Sequence, residues 1–488
     1  MIDGTIICIS SGLLKPKKND NEIARKHLYL NYGLVSLASI LESKGHSVKI
    51  FHGNFTEPLT FYKYLLERVE FLENIPVMLS IPSSFSLPWS KYFCKILKEN
   101  HPRIKIVAGG RWVIGHDTTW LKRIIPQIDL IVPGIAEHII ENIIDINKWP
   151  SLNYYPNNFD NIITFPRLSY NLVDQFLEYN PSIEISRGCG LGCAFCSEKD
   201  ANYQIIKTPK EVAEDIRSYI SLYQSDRITP YFESSIFRPS NTWIKEFSYY
   251  YNQMELKVKW RSETRINSIS LKNISRLANS GLKVLDLGLE SASHKQLFRM
   301  NKTKNPGSYL KHATIFLKEC YENDIWVKIN ILLYAGETSE SINETCEWLD
   351  KNKKYFKGVS VGPLILYRDI SANSFIDNIK SLGADLVSFS DLEDRGYCNL
   401  HLSKEIDFGK SISVSQQISQ YFMSYIDYFQ LKSFSYFPRT FSIHEFISNI
   451  MNDTSASFSF NIDGLLKISK EIPNKFFKPP ALNVAAIV

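Results

Sequence analysis

Short apolar runs alternate with helix-length amphipathic stretches through the first 150 residues of the chain. The runs are TIICIS (5–10), SVKIFHG (47–53), PVMLSIPS (76–83), RIKIVAGG (103–110) and DLIVPG (129–134). Between them lie stretches such as NYGLVSLASILESKG, whose apolar residues recur at helical spacing before a terminating glycine. Five strands alternating with helices predict an open, doubly wound parallel sheet. Ligands of such sheets bind at the carboxyl ends of the strands, where Gly109, Gly110 and Gly134 fall.

A second alternation of strands and helices begins at residue 181. Its strand candidates are SIEISR (182–187), RITPYFES (227–234), VKWRSETR (258–265), KVLDLGLES (283–291), WVKINILLY (326–334) and GVSVGPLILY (358–367). One intervening helix opens on Thr208, Pro209 and Glu211, which is the signature of a capping box. Six strand–helix units in a row predict an α/β, partial (β/α)6 barrel of the TIM type, with its chemistry at the C-terminal ends of the strands.

These patterns divide the chain into four parts. We expect a Rossmann-like domain at 1–150, a linker rich in Pro, Asn and Tyr at 151–180, the barrel at 181–370 and a small, mostly helical C-terminal region at 371–488. In this last region, aromatic residues at helical spacing predict one helix over 413–430 and another near 442–452. Such aromatic faces usually form core, and here they are also candidates for a lid or a substrate wall.

Composition adds little beyond a soluble globular class. Of the 488 residues, 44% are hydrophobic and 22% charged, and the net charge is only +5 with scattered lysines, so no nucleic acid partner is expected. No apolar run reaches the length of about 18 residues that a membrane helix needs. The N-terminus lacks the features of a signal peptide. We therefore expect a cytoplasmic protein without stable membrane insertion.

Three of the eight cysteines are concentrated in RGCGLGCAFC, directly after the first strand of the barrel. Cys189, Cys193 and Cys196 are spaced C-x-x-x-C-x-x-C on a glycine-containing loop that can wrap an inorganic centre. A structural zinc site needs a fourth ligand, and none follows at finger-like spacing. A 4Fe–4S cluster held by three thiolates leaves one iron open for a substrate or cofactor. A zinc-binding protein without enzymatic activity remains the alternative.

RGCGLGCAFC resembles the cluster motif of the radical S-adenosylmethionine (SAM) enzymes. The stretches VKWRSETRINSIS, VLDLGLESASHKQLFRMNK and VKINILLYAGETSESINET are similar to later strands of the same barrel, in the same order. The N-terminal sheet resembles the cobalamin-binding domain that precedes the barrel in one branch of this superfamily. The resemblance covers roughly residues 5–370. It implies that Cys189, Cys193 and Cys196 ligate the cluster, whose open iron binds SAM.

The resemblance also implies positions for the SAM molecule. Phe195 would pack near the adenine, and Gly336, in LYAGET, would lie in the backbone behind it. Glu233 occupies the place of a Gly-Gly-Glu motif that contacts the SAM amino group, although both glycines are missing. Glu290 resembles the polar residue that reaches the ribose or the amino group. Arg265 would pair with the SAM carboxylate.

The N-terminal domain is expected to bind cobalamin, with the cofactor's tail running past Gly109 and Gly110. The Asp-x-His-x-x-Gly motif of cobalamin-ligating mutases is absent, and His52 lacks its context. In this branch of the superfamily, resemblance suggests that cobalamin is bound without a histidine ligand. Cys398, in RGYCNLH, is a candidate hydrogen-atom donor of the kind found in radical epimerases, although a buried inert thiol is the simpler interpretation.

Together these features predict a radical SAM enzyme that cleaves SAM to a 5′-deoxyadenosyl radical, which abstracts hydrogen from an unactivated position. Cobalamin-dependent methyl transfer to a natural product or peptide is the expected outcome, and an electron donor such as flavodoxin or ferredoxin is the expected partner. The alternative within the enzyme class is a cobalamin-free epimerase, cyclase or rearrangement enzyme. The sequence does not identify the substrate.

Overall fold

The computed structural model describes residues 4–113, 117–152, 165–368, 373–453 and 457–465. Residues 1–3 and 114–116 of the predicted N-terminal domain, 153–164 of the linker, 369–370 of the barrel, and 371–372, 454–456 and 466–488 of the C-terminal region lie outside this range. Among the described helices, none combines the length and the apolar character that a membrane crossing requires.

The N-terminal part is a five-stranded parallel sheet with helices on both faces. Its strands are β1 (Thr5–Ser10), β2 (Ser47–His52), β3 (Val77–Ser80), β4 (Ile106–Gly109) and β5 (Leu130–Ile131), and its helices are α1 (Glu22–Arg25), α2 (Tyr32–Ser43), α3 (Pro58–Leu66), α4 (Leu87–Asn100), α5 (Thr118–Ile124) and α6 (Ile140–Ile143). The order β2-β1-β3-β4-β5 confirms the predicted doubly wound topology. Because the order reverses between β1 and β3, a crevice opens there at the carboxyl ends of these two strands.

The second part is a partial barrel whose six parallel strands follow the order β13-β12-β11-β10-β9-β6. Its strands are β6 (Ser182–Glu184), β9 (Tyr231–Glu233), β10 (Trp260–Arg265), β11 (Leu282–Glu290), β12 (Trp326–Leu333) and β13 (Gly358–Pro363), with the small hairpin β7 (Ser186–Arg187) and β8 (Gln204–Ile205) after the first. Its helices are α7 (Pro209–Tyr223), α8 (Asn241–Gln253), α9 (Ile274–Asn279), α10 (His294–Arg299), α11 (Pro306–Glu322) and α12 (Ser339–Asn352). The predicted capping box starts α7.

The barrel strands alternate between an apolar outer face and a polar inner face. Outer residues such as Phe232 and Trp260 stack at 4.1 Å and pack against Phe247 of α8. Their neighbours in sequence point the other way, and there Arg261 forms an ion pair with Asp286. The lumen of this barrel is therefore charged, unlike the packed aliphatic interior of a closed TIM barrel.

The C-terminal region contains the strands β14 (Ile365–Tyr367), β15 (Asp385–Leu386) and β16 (Tyr397–His401), and the helices α13 (Asn373–Ser381), α14 (Phe389–Arg395), α15 (Phe408–Phe422), α16 (Tyr425–Ser433) and α17 (Ile443–Asn452). The single helix predicted over 413–430 is wrong, because the chain breaks between α15 and α16. At the break, Met423 packs against Gly358 of β13, and Ser424 caps α16. The backbone of Asn461 hydrogen-bonds on either side of Ser424, to Met423 and Tyr425.

Residues 11–31 form an N-terminal strap that leaves the sheet after β1 and crosses to the barrel and the C-terminal helices. Lys18 Nζ donates to the carbonyl of Val361 in β13 at 2.6 Å. His27 packs between aromatic rings and its Nε2 lies 3.1 Å from the hydroxyl of Tyr428 in α16. Asn21 Nδ2 donates to the carbonyl of Ser457 at 2.7 Å. The strap thus joins all three parts of the fold beside the open edge of the barrel.

Candidate active site

The cysteine loop leaves the barrel after β7 and returns at β8. Three glycines along it, Gly188, Gly190 and Gly192, have φ of +71°, +65° and +69°. A Cβ at Gly188 would collide with the backbone of Asn202, so a larger residue cannot replace it without moving the loop. Asn301 Nδ2 donates to the Gly192 carbonyl at 2.7 Å, which fixes the loop to the end of α10.

The three cysteine side chains lie close enough to influence one another. Burial, followed by repulsion from the neighbouring Cys189 and Cys193 thiolates, raises the pKa of the Cys196 thiol to about 12. The Glu198 N–H points at Cys196 Sγ at 3.4 Å, and Arg265 Nη1 lies 3.7 Å from Cys193 Sγ. Donors aimed at sulfur stabilise the thiolate form that iron binds.

Within the described chain, no three His, Cys, Asp or Glu side chains converge on one point as a single metal ion requires. A zinc ion holds each thiolate at about 2.3 Å, so its ligands crowd together. A 4Fe–4S cluster places each thiolate on a different iron, and its cysteines stand farther apart. The donor set and the hydrogen bonds to sulfur therefore fit a cluster.

Arg265 and Glu290 lie beside the cysteines at the C-terminal ends of β10 and β11. Glu290 has φ of +70° at a register shift in β11, which turns its carboxylate toward Lys302 Nζ at 3.0 Å. Gly288 makes room for this pair, because a Cβ there would lie 2.7 Å from Glu290 Oε1. Arg265 is buried, and its Nε has no hydrogen-bond partner. This free N–H can donate to an anionic group of a cofactor bound beside Cys193.

Glu233 lies deeper in the lumen, where its hydrogen-bond partner is Ser182 rather than a residue of the cysteine loop. It accepts a hydrogen bond from Ser182 Oγ at 2.7 Å, and burial raises its pKa to about 8. On the next strand, Glu263 also has a raised pKa, about 7, because of burial and then the nearby Asp286. Both carboxyl groups can hold a proton near neutral pH.

Phe195 comes from the cysteine loop, and Gly336 comes from the loop after β12. The Phe195 ring lies edge-on to Tyr334 with centroids 6.4 Å apart. Gly336 has φ of +73°, and its carbonyl accepts from Arg299 Nη1 at 2.7 Å. These contacts place both residues next to the β12 end of the barrel, and their roles toward SAM stay predictions.

Cys398 lies in β16 and is fully buried. Its Sγ is 3.0 Å from the carbonyls of Ser388 and Asn399, and burial raises its pKa. This environment favours the inert thiol that the sequence also allowed.

A cavity of about 480 Å³ opens at the switch point of the N-terminal sheet. The ends of β1, β3 and β4 line one wall, through residues that include Ser10, Ser80 and Gly109. Residues of the cysteine loop and its preceding strand, among them Gly188 and Glu198, line the opposite wall. The cavity therefore connects the predicted cofactor edge of the sheet to the cluster loop.

Two ion pairs bridge the sheet and the cysteine loop across this cavity. Arg187 Nη2 lies 2.6 Å from Glu137 Oε1, and the same guanidinium binds Glu184 at 2.6 Å. Arg111, directly after β4, pairs with Glu198. These contacts fix the position of the cavity relative to the cysteines.

His52 and Gly110 also line the cavity, but contacts with neighbouring protein groups explain why these residue types stand there. His52 Nε2 accepts the N–H of Asn31 at 3.0 Å, and burial lowers the pKa of its imidazole to about 4. A Cβ on Gly110, whose φ is +106°, would lie 2.6 Å from Ser80 Oγ. Gly109 is different, because a Cβ there would make only ordinary contacts and would leave its strand undisturbed.

Sequence reasoning missed Lys302, Arg187 and Arg111. Lys302 ends the stretch FRMNK, and its role depends on a partner, Glu290, that precedes it by one helix. Arg187 immediately precedes the glycine–cysteine motif, and this position beside the cysteines could have marked it as a candidate site residue. Its partner Glu137 is 50 residues away in another sheet, and no local pattern marks it.

Comparison with known proteins supports this description. Residues 183–349 match the family described as the radical SAM superfamily. The uncharacterized methyltransferase PH0819 of Pyrococcus horikoshii is 24% identical over 304 residues, which cover 56% of this chain and 63% of that protein. The chain thus spans less than two thirds of the length of this curated relative.

Two solved structures share the fold at 15% sequence identity. The radical SAM methyltransferase TsrM of Kitasatospora setae, solved with tryptophan substrate and a SAM analogue, superposes with a TM-score of 0.56 and 79% coverage of both chains. The cobalamin-dependent SAM radical enzyme OxsB superposes with a TM-score of 0.52 and covers 71% of this chain and 51% of its own. At this identity, both likenesses concern the architecture of sheet and barrel.

Proposed function

Because residues 183–349 match the radical SAM superfamily, we propose that this chain is a cobalamin-dependent radical SAM methyltransferase. Its substrate is a natural product or a peptide, and the methyl acceptor is a carbon or phosphorus atom. SAM serves both as the source of the radical and as the methyl donor.

The observation that carries the proposal is the cavity between the N-terminal sheet and the cysteine loop. It lies at the β1/β3 switch point, where doubly wound sheets bind their cofactors. Its far wall is the loop that carries the cluster cysteines. A cofactor held in this cavity would face SAM on the cluster, which is the arrangement that methyl transfer between the two requires.

The residues present fit both groups. Cys189, Cys193 and Cys196 would hold the cluster, and Arg265 would bind the SAM carboxylate through its unpaired Nε. Gly109 and Gly110 would let the cobalamin lie against the ends of the strands. When bound, the cluster supplies the electron that cleaves SAM, and cobalamin carries the methyl group.

Anaerobic reconstitution with iron, sulfide and hydroxocobalamin tests the proposal. We expect one cobalamin per chain in the visible spectrum after desalting, and four irons with labile sulfide. With SAM, dithionite and the substrate, mass spectrometry should find both 5′-deoxyadenosine and S-adenosylhomocysteine. A chain that forms 5′-deoxyadenosine but retains no cobalamin would be a cobalamin-free radical enzyme, and the proposal would fail.

The Gly109→Leu variant provides a matched test of the cavity. Its Cβ has ordinary space, so the sheet should fold, while the rest of the side chain would stand where the cofactor binds. We expect loss of cobalamin with full iron content. Gly307→Leu is the control, because Gly307 in the first turn of α11 has similar Cβ space and lies away from the cavity lining.

A further inference from the structure

A cluster of basic side chains occupies the part of the barrel lumen farthest from the cysteines. Arg261 and Lys328 come from the strands β10 and β12, Lys18 from the N-terminal strap and Lys432 from α16. We call these four residues the basic cluster. The site described above uses none of them for the iron–sulfur cluster, SAM or cobalamin.

One ionised carboxylate stands against this cluster. Asp286 pairs with Arg261 at 2.6 Å and with Lys328 at 2.6 Å, and these cations hold its pKa far below its usual range despite burial. The Glu263 carboxyl, opposite Asp286 in the strand register, has a pKa of about 7 and is only partly ionised at neutral pH. Burial and the neighbouring cations lower the pKa of Lys432 well below its usual value, yet Arg261, Lys328 and Lys18 still outnumber Asp286, so these groups leave the lumen with excess positive charge.

Lys18 is the member of the cluster that a ligand can reach. Its Nζ donates to the Val361 carbonyl at 2.6 Å and to Ser360 Oγ at 3.1 Å, which holds the ammonium at the lumen side of β13. Gly362 leaves this ammonium uncovered, because a Cβ there would be 3.8 Å from Lys18 Nζ. Both of these acceptors are neutral groups.

The side chain of Lys18 is solvent-accessible, while neighbouring protein atoms lower the pKa of its ammonium to about 8, with a further contribution from the nearby Lys328. The adjacent Lys17 lines the large cavity at the sheet, so the strap extends from that cavity into the lumen.

We propose that Lys18 binds the carboxylate of the substrate in the barrel lumen, with Lys328 adding to the attraction. The proposal rests on the proposed function, since it assigns the substrate class of that same site: a small molecule or peptide end with one free carboxylate. Lys18 bonds two neutral acceptors, and its third N–H is available for an anion. An ammonium held in place before binding attracts a carboxylate without the cost of ordering a flexible lysine. A carboxylate on the ligand would offset part of the positive charge that Asp286 leaves unbalanced.

Matched carboxylate and amide probes test this site in the reconstituted full-length protein. The pairs are L-tryptophan with L-tryptophanamide, indole-3-propionate with its amide, and benzoate with benzamide, titrated without dithionite. We expect at least one carboxylate to bind roughly 10- to 100-fold more tightly than its amide, the range for one charged hydrogen bond. Lys18→Met should remove that difference, and Lys18→Arg should restore most of it.

Lys15→Met is the control, because Lys15 is exposed on the same strap. Iron content, cobalamin content and SAM affinity should be equal in all four proteins, which separates a lost binding site from a misfolded chain. Equal binding of carboxylates and amides, or carboxylate binding that survives Lys18→Met, overturns the assignment. Lys18-dependent carboxylate binding by a chain that retains no cobalamin would uphold this site while the proposed methyl transfer fails.

Discussion

Arg187 joins the cysteine loop, the barrel and the N-terminal domain through charge. Its guanidinium binds Glu184 of β6 and Glu137 of the sheet, and it stacks on the ring of Phe165 at 4.4 Å. We expect Arg187→Met to preserve the stem of the side chain while leaving both carboxylates without their cation.

The size of the effect follows from burial. The three side chains are 16%, 11% and 8% exposed for Arg187, Glu137 and Glu184. Removing one partner of a buried ion pair costs about 3–5 kcal/mol, because a charge stays behind in a poorly solvated place. Residual exposure screens the charges slightly, so we expect a loss near the lower limit, about 3 kcal/mol.

The loss should depend on pH. Burial already raises the pKa of Glu184, and Arg187 counteracts that rise. Without Arg187 the folded-state pKa lies still further above the unfolded value. A carboxyl with a raised folded pKa destabilises the protein most above that pKa, and the penalty shrinks as pH falls toward the unfolded value. The variant should therefore be closer to wild type at pH 5 than at pH 8.

Urea unfolding of the apo protein, followed by tryptophan fluorescence and circular dichroism together, measures this loss. The double variant Arg187→Met/Glu184→Gln should recover part of it, since contacting residues couple. Arg103→Met, which breaks the exposed pair with Glu73, is the control and should behave as wild type. A loss below about 1 kcal/mol at pH 8, or a double variant that simply adds the two single losses, would refute the reasoning.

Three further outcomes are expected. Gly110→Ala should lower stability by about 1–3 kcal/mol, because Gly110 has a backbone conformation suited to glycine and an added Cβ would collide with Ser80 Oγ. Gly109→Ala should unfold in urea as wild type does, because its Cβ would make only ordinary contacts. Wild-type stability should fall as pH drops from about 6.5 to about 4, because burial depresses the pKa of His52 in the folded protein. In His52→Gln that part of the dependence of stability on pH should vanish, while the cobalamin content stays the same. Cys398→Ser should keep full product formation in a coupled assay, because a serine hydroxyl can donate to the same carbonyls. Loss of product with continued SAM cleavage would instead identify Cys398 as a hydrogen-atom donor.

The strands and the cysteine loop could be predicted from the sequence because their causes are local. Apolar residues at period two or in short runs define each strand, whichever residues later surround it. The spacing of Cys189, Cys193 and Cys196 needs only one loop to bring them together. Glu290 was singled out by the resemblance, and it is the last residue of β11, while its role toward SAM stays a prediction.

Features that depend on distant partners could not be predicted. The periodicity over 413–430 is continuous, yet the pairing of Asn461 with Met423 and Tyr425 ends one helix and starts another. Lys18 stands in a polar stretch without any pattern, and its position is set by β13, more than 340 residues later. Glu137 becomes a partner of Arg187 only when two separate sheets meet.

The N-terminal strap has a consequence for the order in which the protein is made. Lys18, Asn21 and His27 leave the ribosome well before their partners, and those of Asn21 and His27 emerge more than 400 residues later. The sheet and the barrel can acquire their hydrogen bonds during synthesis, but the strap gains these partners only when α16 and the residues after α17 arrive. A chain that stops before α16 would therefore carry a complete cysteine loop next to a chamber whose α16 side is still open.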